Sequence, residues 1–129
     1  MVISKPAVLI YADHPDEDLL RELLAGIEEE GVLYQVTDQA GDPDDLAWEA
    51  AKASMLGSGI GIRGRQLAMQ MAGLPRRKNV FELNDSGFWQ CRNLGANSAR
   101  AVKKMPFKEC ITSTRFSDAA FGKSDTQDV

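Results

Sequence analysis

The chain has 129 residues, 43% of them apolar, and 15 Lys and Arg stand against 19 Asp and Glu for a formal charge of −4. That length supports one domain with a modest core. No stretch reaches the ~18–20 apolar residues of a membrane-spanning helix, and Met1 to Pro6 lacks the apolar run of a signal peptide, so a cytoplasmic location is expected. Cys91 and Cys110 have no CxxC spacing or histidine partner, which predicts idle thiols rather than a disulfide framework or a zinc site. Charge is unevenly divided. Residues 1–58 carry 13 acids and 3 bases, whereas residues 59–110 carry 3 acids and 10 bases. Two faces for different partners, or uneven sampling of solvated side chains, would each produce this.

Ala7 to Tyr11 (AVLIY) has the β-branched and aromatic content of a buried strand. A helix is predicted next, with Pro15 in its first turn, Asp16, Glu17 and Asp18 at the positive end of its dipole, Leu19, Leu20, Leu23, Leu24 and Ile27 as its stripe, and a stop at Gly31. Val32 to Thr37 reads as a second strand. A second helix starts near Asp42 and Pro43 and packs through Leu46, Ala47, Ala50 and Ala51. Strands follow around Ile60 to Ile62, over Leu67, Met69 and Met71, and at Val80 to Leu83. The last helix runs from Phe88 to Lys104, with Phe88, Cys91, Leu94, Val102 and Met105 on one face and Pro106 ending it.

The order β-α-β-α-β-β-β-α predicts a single α/β domain over 1–111, its sheet mostly parallel, flanked by helices and joined by an antiparallel edge. Residues 112–129 are polar and aperiodic, and a flexible tail is expected there.

Gly59, Gly61 and Gly64 satisfy GxGxxG, but alternating QLAMQM follows them where a dinucleotide site needs a helix; a tight turn beside packed backbone is the better reading. His14, among Asp13, Asp16, Glu17 and Asp18, admits a metal or acid/base site, with helix capping as the plainer account. The bases Arg63, Arg65, Arg76, Arg77, Lys78, Arg92, Arg100, Lys103 and Lys104 lack interleaved aromatics, which argues against nucleic acid. Glu28, Glu29 and Glu30 break a rule, because helix C-termini are negative and prefer Lys or Arg. On a wheel of about 100° per residue, Glu29 points away from the leucine stripe, in line with Asp18 and Glu22 and beside Ala25 and Gly26. The result is an acidic strip facing away from the core, read either as a solvated face whose charge is tolerated or as a docking strip for a cation or a basic partner.

GIEEEG over residues 26–31, Ala47-Trp48 with Ala50, Ala51 and Ser54, Gly59-Ile60 with Gly61-Ile62, and RNLGANSAR over 92–100 leading to Lys103 and Pro106-Phe107 together resemble the small subunit of diol/glycerol dehydratase reactivase. The resemblance covers roughly residues 7–110; it departs from the family pattern at Ser98 and at Lys104-Met105. It implies a fold similar to the dehydratase medium subunit and to anticodon-binding-domain-like folds. It also implies a chaperone-like, non-catalytic role. Such a subunit pairs with a large actin-like ATPase in a heterotetramer that releases damaged cobalamin from inactivated adenosylcobalamin-dependent dehydratase by subunit exchange. ATP or ADP and Mg²⁺ belong to the large subunit, cobalamin enters only through the dehydratase, and by match Glu29 reaches the metal. Asp18, Glu22, Glu28, Glu29, Arg92, Asn97 and Arg100 are the expected partner-binding residues, the last three as exposed positions on the final helix. No membrane or nucleic-acid partner is implied, and association with a bacterial microcompartment is left open. Two alternatives stand beside this: a structural medium-type subunit of the dehydratase itself, and a small-molecule enzyme using the His14 cluster.

Overall fold

The computed structural model describes residues 6–85 and 87–109. Cys110 and the expected tail over 112–129 lie outside them. Eight elements follow the predicted order: β1 (Val8–Asp13), α1 (Glu17–Glu29), β2 (Tyr34–Asp38), α2 (Pro43–Ala53), β3 (Ser58–Arg63), β4 (Gln66–Met71), β5 (Phe81–Asn84) and α3 (Phe88–Lys103). The strands form one mixed sheet in the order β2-β1-β3-β4-β5. β1 pairs in parallel with β2 and β3, while β3–β4 and β4–β5 are antiparallel, so β4 alone runs against the rest.

Period-two alternation divides the strands between two cores. Val8, Ile10, Ala12, Ile60, Ile62, Leu67 and Met69 face α1 and α3, where Leu19, Leu23, Ile27, Cys91, Leu94 and Ala99 complete the larger core. Burial pushes the Cys91 thiol up to about 11, which keeps it protonated and inert. On the opposite face Ala7, Leu9 and Tyr11 pack with Ala50 of α2. Here the paper GxGxxG finds its explanation. A Cβ on Gly59 would sit 2.2 Å from the Ala51 nitrogen, and one on Gly61 would sit 2.3 Å from the Pro43 oxygen, so the α2 backbone lies directly on β3. Gly64, at φ +58°, makes the two-residue turn into β4.

Two local expectations are corrected. Pro15 precedes α1 rather than entering its first turn, because Asp16 is the cap and its carboxylate accepts from the Leu19 N–H at 3.0 Å. Phe88 and Met105 are exposed rather than core, since small residues carry the contact of α3.

Candidate functional site

The three glutamates ending α1 meet α3, not open solvent. Gly26 and Gly95 set this geometry. A Cβ on Gly26 would lie 1.9 Å from the Arg92 carbonyl oxygen, and one on Gly95 would lie 2.0 Å from that of Leu23. The two helix backbones therefore touch, and because contacts advance along both chains together (22 with 92, 30 with 103) the helices run in the same direction. Three cations of α3 are thereby placed beside the acidic end of α1.

Arg92 donates from Nη2 and Nε to a single oxygen of Glu29, Oε2, at 2.6 and 3.1 Å, and from Nη1 to Glu22 Oε1 at 3.3 Å. The Glu29 bonds raise the Arg92 pKa. Glu29 Oε1 has no partner among the described residues, and its side chain is 44% exposed beside a 43% exposed Arg92. Glu30 is more enclosed, with its side chain 9% exposed. Arg100 Nε binds its Oε2 at 2.9 Å, and Lys103 Nζ binds its Oε1 at 3.2 Å and its main-chain oxygen at 2.7 Å. The unfavourable helix end is thus neutralised from within the chain. Glu28 accepts from the Tyr34 hydroxyl at 3.5 Å, and Asp18 pairs with Arg21 at 3.0 Å.

These positions correct the expected strip. Glu22 and Glu29 flank the α1–α3 seam because α1 buries two sides, one on the sheet and one on α3, and a wheel centred on leucines registers only the first. Asn97 is fully buried, not exposed. Its Oδ1 accepts from the Lys108 N–H at 2.7 Å and its Nδ2 donates to the Lys108 oxygen at 3.0 Å, while Asn93 Nδ2 reaches the Glu109 oxygen at 2.7 Å and Arg100 Nη1 the Pro106 oxygen at 3.0 Å. RNLGANSAR therefore both anchors α1 and straps residues 106–109 along α3, with Phe107 edge-on to Phe81 at 5.2 Å. Lys103 joins the clamp on Glu30 although the family motif implies no site role for it; Gly26 and Gly95 are the available signal, since glycine inside a helix costs ~1 kcal/mol and points to close approach.

The charge division resolves in the same way. Arg63 binds Asp42, Arg65 binds Asp16, Arg76 binds Asp45, and Arg77 binds Asp44, so bases of the second half neutralise acids of the first. Arg76 also lies over Trp48, 4.6 Å from its ring centre, and Lys52 Nζ lies 3.8 Å from the same centre. Around His14 the carboxylates are engaged: Asp13 takes the Gly41 N–H, His14 Nδ1 and Arg63, and Asp16 caps α1 and holds Arg65. These bonds hold both carboxyls below the ordinary range. The His14 ring itself is 98% exposed. A nearby groove of about 230 Å³ by Asp42, Asp44 and Glu82 is below the ~300 Å³ of a usual small-molecule pocket.

Fold and seam define an α/β subunit domain of the dehydratase medium-subunit family, whose model matches residues 5–108. Within it, the chain belongs to the small subunits of diol and glycerol dehydratase-reactivating factors. It is 38% identical over 108 residues to the diol dehydratase-reactivating factor small subunit of Klebsiella michiganensis, covering 82% of this chain and 86% of that one. It is also 38% identical to the propanediol dehydratase-reactivating factor small subunit of Salmonella typhimurium, covering 82% and 93%. Among solved structures, a diol dehydratase-reactivating factor complexed with ADP and Mg²⁺ contains a chain that superposes with a TM-score of 0.78 at 37% identity, over 82% of this chain and 100% of that one. A glycerol dehydratase reactivase matches with the same TM-score at 31% identity, over 83% and 100%. Among the described residues no helix is long and apolar enough to cross a membrane.

The Glu30 clamp makes a pH prediction. Burial pushes this carboxyl up, but the hydrogen bonds and charges of Arg100 and Lys103 outweigh it and the net pKa is lowered. A carboxyl lowered by folding adds stability above its unfolded pKa of ~4.3 and loses it as pH falls through the folded value. Glu30→Gln is expected to cost about 1–2 kcal/mol at neutral pH, with the difference from wild type shrinking below pH ~4, as urea unfolding across pH would show. An equal cost at low and neutral pH would contradict the clamp.

Proposed function

We propose that this chain is the accessory small subunit of an ATP-dependent reactivase. It pairs with a larger actin-like ATPase subunit, and the complex frees damaged cobalamin from inactivated diol or glycerol dehydratase by exchanging this chain with a dehydratase subunit of similar fold. The observation that carries the reading is the match, over 82% of this chain and the whole of the other, to a chain of a reactivating factor complexed with ADP and Mg²⁺. Exchange has a physical requirement: nucleotide state must change the relative affinity for the two partners, since equal affinities shift nothing.

Glu29 is the residue proposed to reach the metal of the larger subunit. Among the described residues no group of three His, Cys, Asp or Glu is placed to hold a metal. A single Glu29 oxygen without a partner among the described residues, Oε1, fits one contributed ligand to an ion held mainly by the partner, as Mg²⁺ commonly takes only one or two carboxylates. When bound, the ion supplies a bridging charge between the subunits. Of the other expected contacts, Glu22 and Arg92 lie along the seam, while Asp18 and Glu28 are exposed with Arg21 and Tyr34 as their partners; Asn97 and Arg100 support the surface from beneath.

Sedimentation of the full chain with a cognate large subunit tests this. A Mg²⁺-dependent complex is expected, and Glu29→Gln should weaken it about tenfold, equivalent to ~1.4 kcal/mol. The family match also favours a second reading, a medium-type dehydratase subunit. Absence of the complex, together with stable incorporation into active dehydratase without nucleotide, would establish that one instead.

A further inference from the structure

We propose that Arg92 limits how tightly Glu29 holds a divalent cation presented by the partner subunit, making the contact weak enough to release; this rests on the small-subunit reading above. The root of Arg92 is fixed, because its own carbonyl oxygen occupies the space above Gly26. From there the guanidinium lies along the seam, two N–H groups on Glu29 Oε2 and one on Glu22. An approaching cation therefore meets a carboxylate that is already half-neutralised, with a fixed positive charge behind it. The exposed ion pair itself contributes little stability, since such pairs are commonly worth ~0–1 kcal/mol. Its effect falls on the affinity for other cations, by repulsion across the shared carboxylate.

Glu22 enters the same balance. It draws one guanidinium N–H toward itself, so the triad of Glu22, Glu29 and Arg92 keeps a net single negative charge. Removing the Arg92 charge and removing the Glu22 charge should therefore act in opposite directions. Asp18, which binds Arg21, and Glu30, which binds Arg100 and Lys103, are committed elsewhere.

The test measures affinity of the full chain for the cognate large subunit in Mg²⁺ and in chelator. Arg92→Gln is expected to raise the ratio of Mg²⁺ to chelator affinity about 3- to 10-fold, through slower dissociation of the Mg²⁺-bound complex. Arg92→Lys should stay near wild type. Glu22→Gln, a near-isosteric change on a side chain 27% exposed, should weaken the Mg²⁺-bound complex about 2- to 3-fold. In a Glu29→Gln background, Arg92→Gln should leave the ratio of Mg²⁺ to chelator affinity unchanged. The proposal is overturned if Arg92→Gln leaves the Mg²⁺-dependent affinity unchanged or lowers it, if Glu22→Gln tightens the complex, or if the Arg92 effect survives without Glu29. Should wild type and Glu29→Gln bind equally in Mg²⁺ and chelator, the metal-contact reading itself fails and this inference with it. A failure confined to Arg92 leaves the Glu29 effect standing.

Discussion

Gly95→Ala is expected to destabilise the domain by about 3 kcal/mol, at the upper end of what overpacking costs. The added methyl would fall 2.0 Å from the Leu23 oxygen, 3.0 Å from its carbonyl carbon and 3.3 Å from the Ile27 nitrogen. All three are main-chain atoms inside α1, so no side chain can swing aside. α1 and α3 must separate, and both sit on the same core through Leu23, Ile27, Leu94 and Ala99. Alanine's higher helix propensity returns at most ~1 kcal/mol. For a domain of about 100 residues the net loss lowers Tm by roughly 10–20 °C. Gly26→Ala meets the Arg92 oxygen at 1.9 Å and forces the same separation, so the pair should be clearly less than additive. The effect reaches the site as well, because a wider seam lengthens Arg92 to Glu29. Calorimetry of the two single variants and the double is the measurement; a shift of a degree or two would mean the helices are not in backbone contact.

Why most of the fold was legible and the site less so follows from the kind of information each needs. β1, α1, α2 and α3 carry local signals: a β-branched and aromatic apolar run, a capping aspartate, a glycine stop, a proline after the last turn. Even the order of all eight elements follows from these. The seam depends on which face of α1 meets α3, and a hydrophobic stripe does not report that when the contact is made by Gly26 and Gly95. The wheel therefore turned Glu22 and Glu29 outward, where the structure has them at a helix–helix border. Asn97 misled for a related reason. A polar side chain on a helix is exposed by default, and only the return of residues 106–109 gives it main-chain partners. The charge division was visible from composition alone, but not that its two halves neutralise each other, since those partners are up to 73 residues apart.

Asn97→Asp should cost about 3–5 kcal/mol at neutral pH, the range for an uncompensated buried charge. The wild-type amide reads both main-chain groups of Lys108, accepting from its N–H at 2.7 Å and donating to its carbonyl at 3.0 Å. A carboxylate can keep the first bond, but it sets a second acceptor against the carbonyl oxygen in a place without water access. Protonation restores a donor there. Burial and the facing carbonyl raise the pKa of the introduced carboxyl in the folded state above its unfolded value of ~3.9. The ionisation penalty is therefore absent below that unfolded value and grows as pH rises toward the folded one. Relative to wild type, the variant should be little destabilised near pH 4 and should show most of the about 3–5 kcal/mol loss by pH 7. Asn97→Leu removes both bonds without a charge, and its cost, about 2 kcal/mol for two unpaired main-chain groups, should not depend on pH. The strap has a way out of the conflict. Residues 106–109 can peel from α3 and let water satisfy Lys108, at the expense of the Phe107–Phe81 contact. Hydrogen exchange at the Lys108 amide then separates the two responses: fast exchange with modest global loss means the strap detaches alone, and protected exchange with a large loss means strap and α3 unfold as one unit.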